Sequence, residues 1–393
     1  MKPKALIPLA VIIAVLGGIV FLKSSDDETA TLLEEVELSR LLPEDLTQGH
    51  IARLEIYNGG AAEEILELRR EPGEEGWIVF THFDAPVTAT KIDTFLGNLV
   101  GLQGEFRAIG GESSFGTYDL TEESAVHIKG YKDTGDALGF HVLVGKSPGY
   151  GNRFMRAAGE DTIYVADVDL RQAAGIQSDE NADAPKPDTW LDKKILEFEK
   201  TDITKLTLTM PGKEVAFEYR EKPAEEPEET PEGEEDAEAP PTLTPEYEWV
   251  AVSGGGGHPI KDTGLQGVLG KIATLGASGI VDPANKEEYG LDAPVFGVRA
   301  TLLGESDEIV LEAGHPDRDS DGYVRVASRN RDVVYKLSRY NFEQLFPKGS
   351  TLFNLPRLSF DIQDMAEITI ESPEGSFMLA KDADAWQVVE PAS

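Results

Sequence analysis

Asp317-Arg318-Asp319-Ser320-Asp321-Gly322 sets carboxylates at alternate positions ahead of a glycine. That is how a turn presents hard oxygen ligands, and the chemistry would be calcium binding through Asp317, Asp319 and Asp321. The twelfth position of such a loop calls for a bidentate glutamate and holds Ser328, while the flanks alternate like strands, not helices. A hairpin tip rich in turn residues is the plainer reading, and weak or no calcium binding is expected. Gly145-Lys146-Ser147 mimics the end of a phosphate loop, but Phe140 stands where the first glycine belongs and a strand follows. Gly254 to Gly257 would suit an anion cradle, yet no cationic or nucleotide fingerprint accompanies them, so they read as a flexible strand-to-helix loop.

Hydrolytic chemistry finds no better footing. Gly111-Glu112-Ser113-Ser114 departs from the G-x-S-x-G elbow, and His50, His82, His127, His141, His258 and His315 contain no H-x-x-x-H pair. Most of those histidines are expected on the surface or in turns. Among 72 acidic residues close carboxylate pairs arise without any role, so no general acid and base can be singled out. No catalytic or cofactor-binding residue is assigned, and calcium is the one cofactor considered.

The elements that would position these residues follow from patterning. Lys2 and Lys4 precede an uncharged run, residues 5–22. As a helix it spans about 27 Å, close to a hydrocarbon core, and the lysines place residues 1–4 in the cytoplasm. The run is longer than a signal-peptide core and no small-x-small site precedes Lys23, so a retained single-pass anchor in the inner membrane is expected, with the bulk of the chain extracytoplasmic. A formal charge of -36 argues against nucleic acid as a partner, and the absence of cysteine removes disulfides and thiolate sites.

Beyond a juxtamembrane linker (23–47), three stretches repeat one pattern of two alternating apolar runs and a tryptophan strand. They are Arg53–Ile56, Ile65–Leu68 and Trp77–Val79; then Lys205–Leu208, Val215–Phe217 and Trp249–Val252; then Glu367–Ile370, Phe377–Leu379 and Trp386–Val389. The tryptophans are expected as buried core residues at one equivalent position. Ile92, Phe95, Leu96, Leu99 and Leu102 form a helical stripe, with Thr90 and Asp93 as a capping box, and Leu265, Val268, Leu269, Ile272 and Leu275 form its counterpart. Tyr118-Asp119-Leu120 and Tyr289-Gly290-Leu291 follow, then strands ending at Gly145 and Gly314. The expected fold is α+β, tandem repeats of mostly antiparallel sheet with one covering helix each. Module one is placed at 48–200, module two at 201–355 with a disordered acidic insert at 221–248, and the start of a third at 356–393.

These residues also carry a resemblance. The Trp77 and Trp249 strands, Tyr289-Gly290-Leu291-Asp292-Ala293-Pro294, Tyr323-Val324-Arg325 and Trp190-Leu191-Asp192-Lys193 resemble the domain-of-unknown-function family 4340. Tyr118-Asp119-Leu120 lacks the family's glycine and following Ala-Pro, so module one is the more diverged. The resemblance implies a membrane-anchored bacterial envelope protein, often encoded beside ABC-type transporter genes of the gliding-motility auxiliary kind, and supplies no catalytic residues. The expected function is therefore a non-enzymatic accessory protein whose partners are ABC-type transporter subunits or other envelope proteins. The competing classes are a calcium-supported structural or adhesive surface protein and an envelope carbohydrate-acting hydrolase. Trp190 and Lys193 are expected to set the angle between modules.

Overall fold

The computed structural model describes residues 37–71, 76–132, 137–177, 183–222, 246–314, 321–329, 331–356, 365–372, 375–382 and 385–390. The expected anchor, most of the acidic insert, and Asp317 and Asp319 lie outside the described residues. Among the described residues no helix is long and apolar enough to cross a membrane. Antiparallel sheet dominates, with a few helices, an α+β architecture. Two compact units are formed: Met1–Lys194 with Ala277–Asn285 and Arg331–Lys336, and Ile195–Gly276 with Lys286–Asn330 and Leu337–Ser393.

The first unit holds a ten-stranded sheet: β1 (Leu38–Arg40), β2 (Arg53–Asn58), β3 (Leu66–Arg70), β4 (Trp77–Val79), β5 (Ala85–Pro86), β6 (Gln103–Ile109), β7 (Val126–Tyr131), β8 (Leu138–Val144), β9 (Arg153–Ala157) and β10 (Thr162–Ala166). Their order across the sheet is β1-β6-β10-β9-β8-β7-β2-β3-β4-β5. Alternation sets the faces: Leu54, Leu68 and Val79 stand opposite one another and are buried, while Arg53, Glu55 and Tyr57 point the other way. Helix α1 (Ala89–Val100) buries the predicted stripe of Ile92, Phe95, Leu96 and Leu99. Its start corrects the expected capping box: Thr88, not Thr90, is the N-cap, and the Thr88 hydroxyl donates to the Leu191 carbonyl at 3.1 Å. Trp190 is fully buried in this unit, edge-on to Phe95 at 5.0 Å, with its indole N–H donating to the Ala174 carbonyl. It is thus a core residue of the first unit.

The later strands are β11 (Ile203–Met210), β12 (Lys213–Glu221), β13 (Tyr247–Ser253), β14 (Gly279–Val281), β15 (Phe296–Leu302), β16 (Glu308–Gly314), β17 (Gly322–Val326) and β18 (Val334–Leu337). In the second unit six of them follow the order β13-β12-β11-β15-β16-β17. β14 and β18, an antiparallel pair, group with the first unit, where β6 and β10 also pair. Helix α2 (Asp262–Ala273) buries Leu265, Val268, Leu269 and Ile272. Phe217 of β12 is covered by Phe353 at 5.8 Å. β12 runs through Glu221 and β13 begins at Tyr247, so both ends of the expected insert are strand.

Registers coincide between the units. Leu54↔Leu68↔Val79 with Arg70↔Trp77 has its counterpart in Leu206↔Phe217↔Ala251 with Tyr219↔Trp249. Gly145 and Gly314 are tied to the same feature. A Cβ at Gly145 would meet the Tyr118 carbonyl oxygen at 2.1 Å, and one at Gly314 would meet that of Tyr289 at 1.9 Å. Gly145 is therefore demanded by a close backbone crossing and not by a phosphate. A three-stranded sheet, β19 (Glu367–Ser372), β20 (Gly375–Asp382) and β21 (Ala385–Glu390), aligns Ile368↔Leu379↔Val388 and Lys381↔Trp386 in the same way.

Candidate functional site

β12 and β13 are longer than their first-unit counterparts, and the residues beyond the covered core stand open. Tyr219 lies opposite Trp249 in the pairing, so both project from the face that carries Phe217. Tyr219 stacks on Tyr247 at 5.6 Å between centroids and meets Trp249 at a tilt of 41° and 5.4 Å. Tyr219 is 43% exposed and Tyr247 51%. Trp249 is half-buried, whereas Trp77, at the same register, is 4% exposed beneath the Arg70 guanidinium. The equivalent position is shared, but Trp77 is core whereas Trp249 is only partly buried.

The difference begins at the next loop. Gly254, Gly256 and Gly257 adopt positive φ, and a Cβ on Gly254 would sit 2.0 Å from the Glu214 carbonyl oxygen. Glycine is required there for backbone approach, and the loop offers no side chains to fill the space beside the aromatic shelf. A groove of about 980 Å³ results, lined by Tyr219, Tyr247 to Ile260, and Lys200, Asp262 and Gln266 on the far side. The Lys200 ammonium donates to the Gln266 amide oxygen at 3.2 Å. The groove offers stacked π faces, backbone polar groups and few charges. Such a lining suits the binding of a ligand or a polypeptide.

A second constellation was hidden from sequence reasoning. His127 is 1% exposed, stacked on Tyr57 at 4.5 Å, and within 2.9 Å of His141. The Nε2–H of His127 donates to the Glu122 carbonyl at 2.9 Å, so its Nδ1 is the acceptor for the Nε2–H of His141. Both rings are held neutral. Burial lowers the His127 pKa, partly opposed by the Glu122 carbonyl and carboxylate. Burial also pushes His141 down to about 4, helped by His127, Lys129 and Arg156. Arg156 donates to the Leu120 carbonyl at 3.0 Å, beside a small apolar cluster of Leu120, Ala125, Leu143, Phe154 and Ile163. The pair pins β7 and β8 to the 118–125 segment, so these two histidines are exceptions to the surface or turn placement expected of most of the six. The missing signal was register: Lys129 lies opposite His141, which sets the histidines diagonally on one face fourteen residues apart in sequence.

The remaining predicted site residues are placed simply. Asp321 accepts from the Arg339 backbone N–H at 3.2 Å, bracing the turn before the helix Arg339–Leu345. Among the described residues no group of three or more His, Asp or Glu side chains is placed to hold a metal. The Ser114 hydroxyl is spent on its own helix, accepting from the Gly111 N–H at 2.8 Å.

Comparison with curated proteins and with solved structures finds no match. The model of the domain of unknown function DUF4340 matches residues 77–294, over half of the chain and spanning the Trp77 strand, the aromatic shelf and the glycine loop, and the chain belongs to that family.

Proposed function

We propose that this is a non-enzymatic accessory protein of the cell envelope, anchored through residues 5–22 and acting by binding another protein in the groove of the second unit. The observation that carries the reading is the open shelf of Tyr219, Tyr247 and Trp249 beside the glycine loop. Large aromatics left exposed in a concave site are the residues from which interfaces draw most of their binding energy. The matching registers of the three tryptophan strands support a chain assembled from copies of one module, in which one copy keeps its tryptophan as core and another leaves it half-buried beside a groove.

The partner is the membrane component of an ABC-type transport system. A single anchor forms no conduit, and the described units contain no nucleotide loop, so a transport role is exercised through a second protein. Cross-linking in native membranes followed by mass spectrometry tests this. Recovery of transporter subunits, lost with Trp249→Ala, is the expected result. A protein that yields no envelope partner, and shows instead a turnover activity dependent on particular carboxylates, would replace the reading with the hydrolase class.

A further inference from the structure

The two units treat one sheet edge differently. In the first, β4 is followed by β5, which pairs with it through Ile78↔Pro86 and Val79↔Ala85, and the Val87 N–H donates to the Trp77 carbonyl at 2.8 Å. The tryptophan strand is thereby covered, and Pro86 offers no donor beyond it. The counterpart of β5 in the second unit is identified by its own bridges. Val87 bridges Leu191 and Ile260 bridges Phe353; the Thr88 N–H donates to the Trp190 carbonyl and the Lys261 N–H to that of Leu352. His258–Ile260 therefore occupies the place of Ala85–Val87. Yet among the described residues no bridge joins it to β13, and the groove is lined by both segments. Where the first unit closes its edge with a strand of its own, the second leaves a slot.

We propose that this slot takes an extended segment of the partner protein as an added strand along β13, with lysine or arginine side chains laid over Tyr219, Tyr247 and Trp249. The inference rests on the binding reading above and specifies its mode. β13 ends its sheet and is hydrogen-bonded to β12 alone among the described residues. An unpaired strand edge is a template for a polypeptide: main-chain hydrogen bonds supply affinity and alternate side chains supply selectivity. The β12–β13 register shifts between Ala216 and Phe217, leaving Val252 as the extra residue, so the regular template is Tyr247–Ala251, about 17 Å of strand. Charge sets the partner's sign. Glu248 is exposed on the strand itself, opposite Arg220, and Asp262 lies at the groove wall with Lys200, whose ammonium is engaged by Gln266; beyond the groove the chain carries 72 acidic against 36 basic residues. A cationic segment is drawn in by that field and finds π faces for its side chains.

The test selects a displayed library of random dodecapeptides against the full chain in detergent, then follows hydrogen exchange with the enriched peptides bound. Enriched sequences should alternate Lys or Arg with apolar residues. Their binding should slow exchange of the Tyr247–Ala251 amides at least tenfold, and N-methylation at alternate peptide amides should weaken it at least tenfold. Trp249→Ala should weaken binding tenfold or more, and Glu248→Lys, an exposed change that leaves the core untouched, should weaken it several-fold. No enrichment, enrichment without alternation, protection elsewhere, or Trp249-dependent binding of an oligosaccharide instead would each overturn strand addition. Transporter subunits cross-linking while any of these results is found would sink the mode and spare the binding reading; absence of any cross-linked partner would sink that reading.

Discussion

His141→Gln should flatten the pH dependence of stability between pH 5.5 and 7 while leaving the fold intact. Glutamine keeps an N–H to donate to His127 Nδ1 but cannot titrate. The folded-state pKa of His141 is about 4 against an ordinary 6.5. Between those values the unfolded chain binds more protons, so stability rises with pH, is fully present above 6.5 and is lost as pH falls toward 4. At pH 5.5 an unfolded histidine is about nine-tenths protonated and the folded one scarcely at all. Full linkage would make the protein roughly 1.2 kcal/mol less stable there than at pH 7. His141 is half-buried, and screening brings that to about 0.6–1.2 kcal/mol, or some 1–5 °C in Tm for a unit of this size. Most carboxylates stay ionised across this window, so their contribution is small. The assay is thermal unfolding of wild type and variant at both pH values, with calorimetry separating the transitions of the units. His127 retains its own lowered pKa in the variant, so a residual slope remains. An undiminished slope in His141→Gln would refute the buried-pair reasoning.

Trp77→Ala should cost about 3–5 kcal/mol in urea unfolding, as expected for a large buried aromatic, whereas Trp249→Ala should cost less than about half of that while abolishing partner capture. Gly314→Ala drives a Cβ into the Tyr289 carbonyl and should destabilise by about 1–3 kcal/mol. Gly267→Ala, on an exposed turn of α2 with nothing within 4 Å of the added atom, should instead stabilise by about 0.5–1 kcal/mol. The same urea series measures both, and equal effects at the two glycines would discount the close crossing.

The sheet strands and the two helices were legible because burial imposes a period on sequence. Leu54 and Ile56 alternate with Arg53 and Glu55, and Ile92, Phe95, Leu96 and Leu99 repeat at helical spacing, so each face could be named before any contact was known. Thr90 and Asp93 misled because a capping box depends on where the helix begins, and Thr88 had already been drawn to Leu191, distant in sequence. The histidine pair was illegible for a related reason. Whether His127 and His141 meet depends on which residues of β7 and β8 face each other, and the alternation within either strand does not encode that register.

Trp77 and Trp249 show where pattern stops carrying information about function. Both lie on the third strand of a matching trio, and both stand opposite the same position of the neighbouring strand. Hydrophobic periodicity treats them alike, because it records which way a side chain points and not what lies above it. Above Trp77 stand the Arg70 guanidinium and a strand that closes the edge; beside Trp249 the chain passes through Gly254 to Gly257 and leaves space. A run first read as a flexible strand-to-helix loop is thus the determinant of the site, by withholding side chains and by letting the backbone turn where Glu214 admits no Cβ. Filling the space should convert the second edge toward the first. Gly255→Leu, placed beside Ala251 and Phe353, should occlude the slot and abolish peptide binding with Trp249 still in place. Undiminished peptide binding by a folded Gly255→Leu protein would show that the groove is not the site.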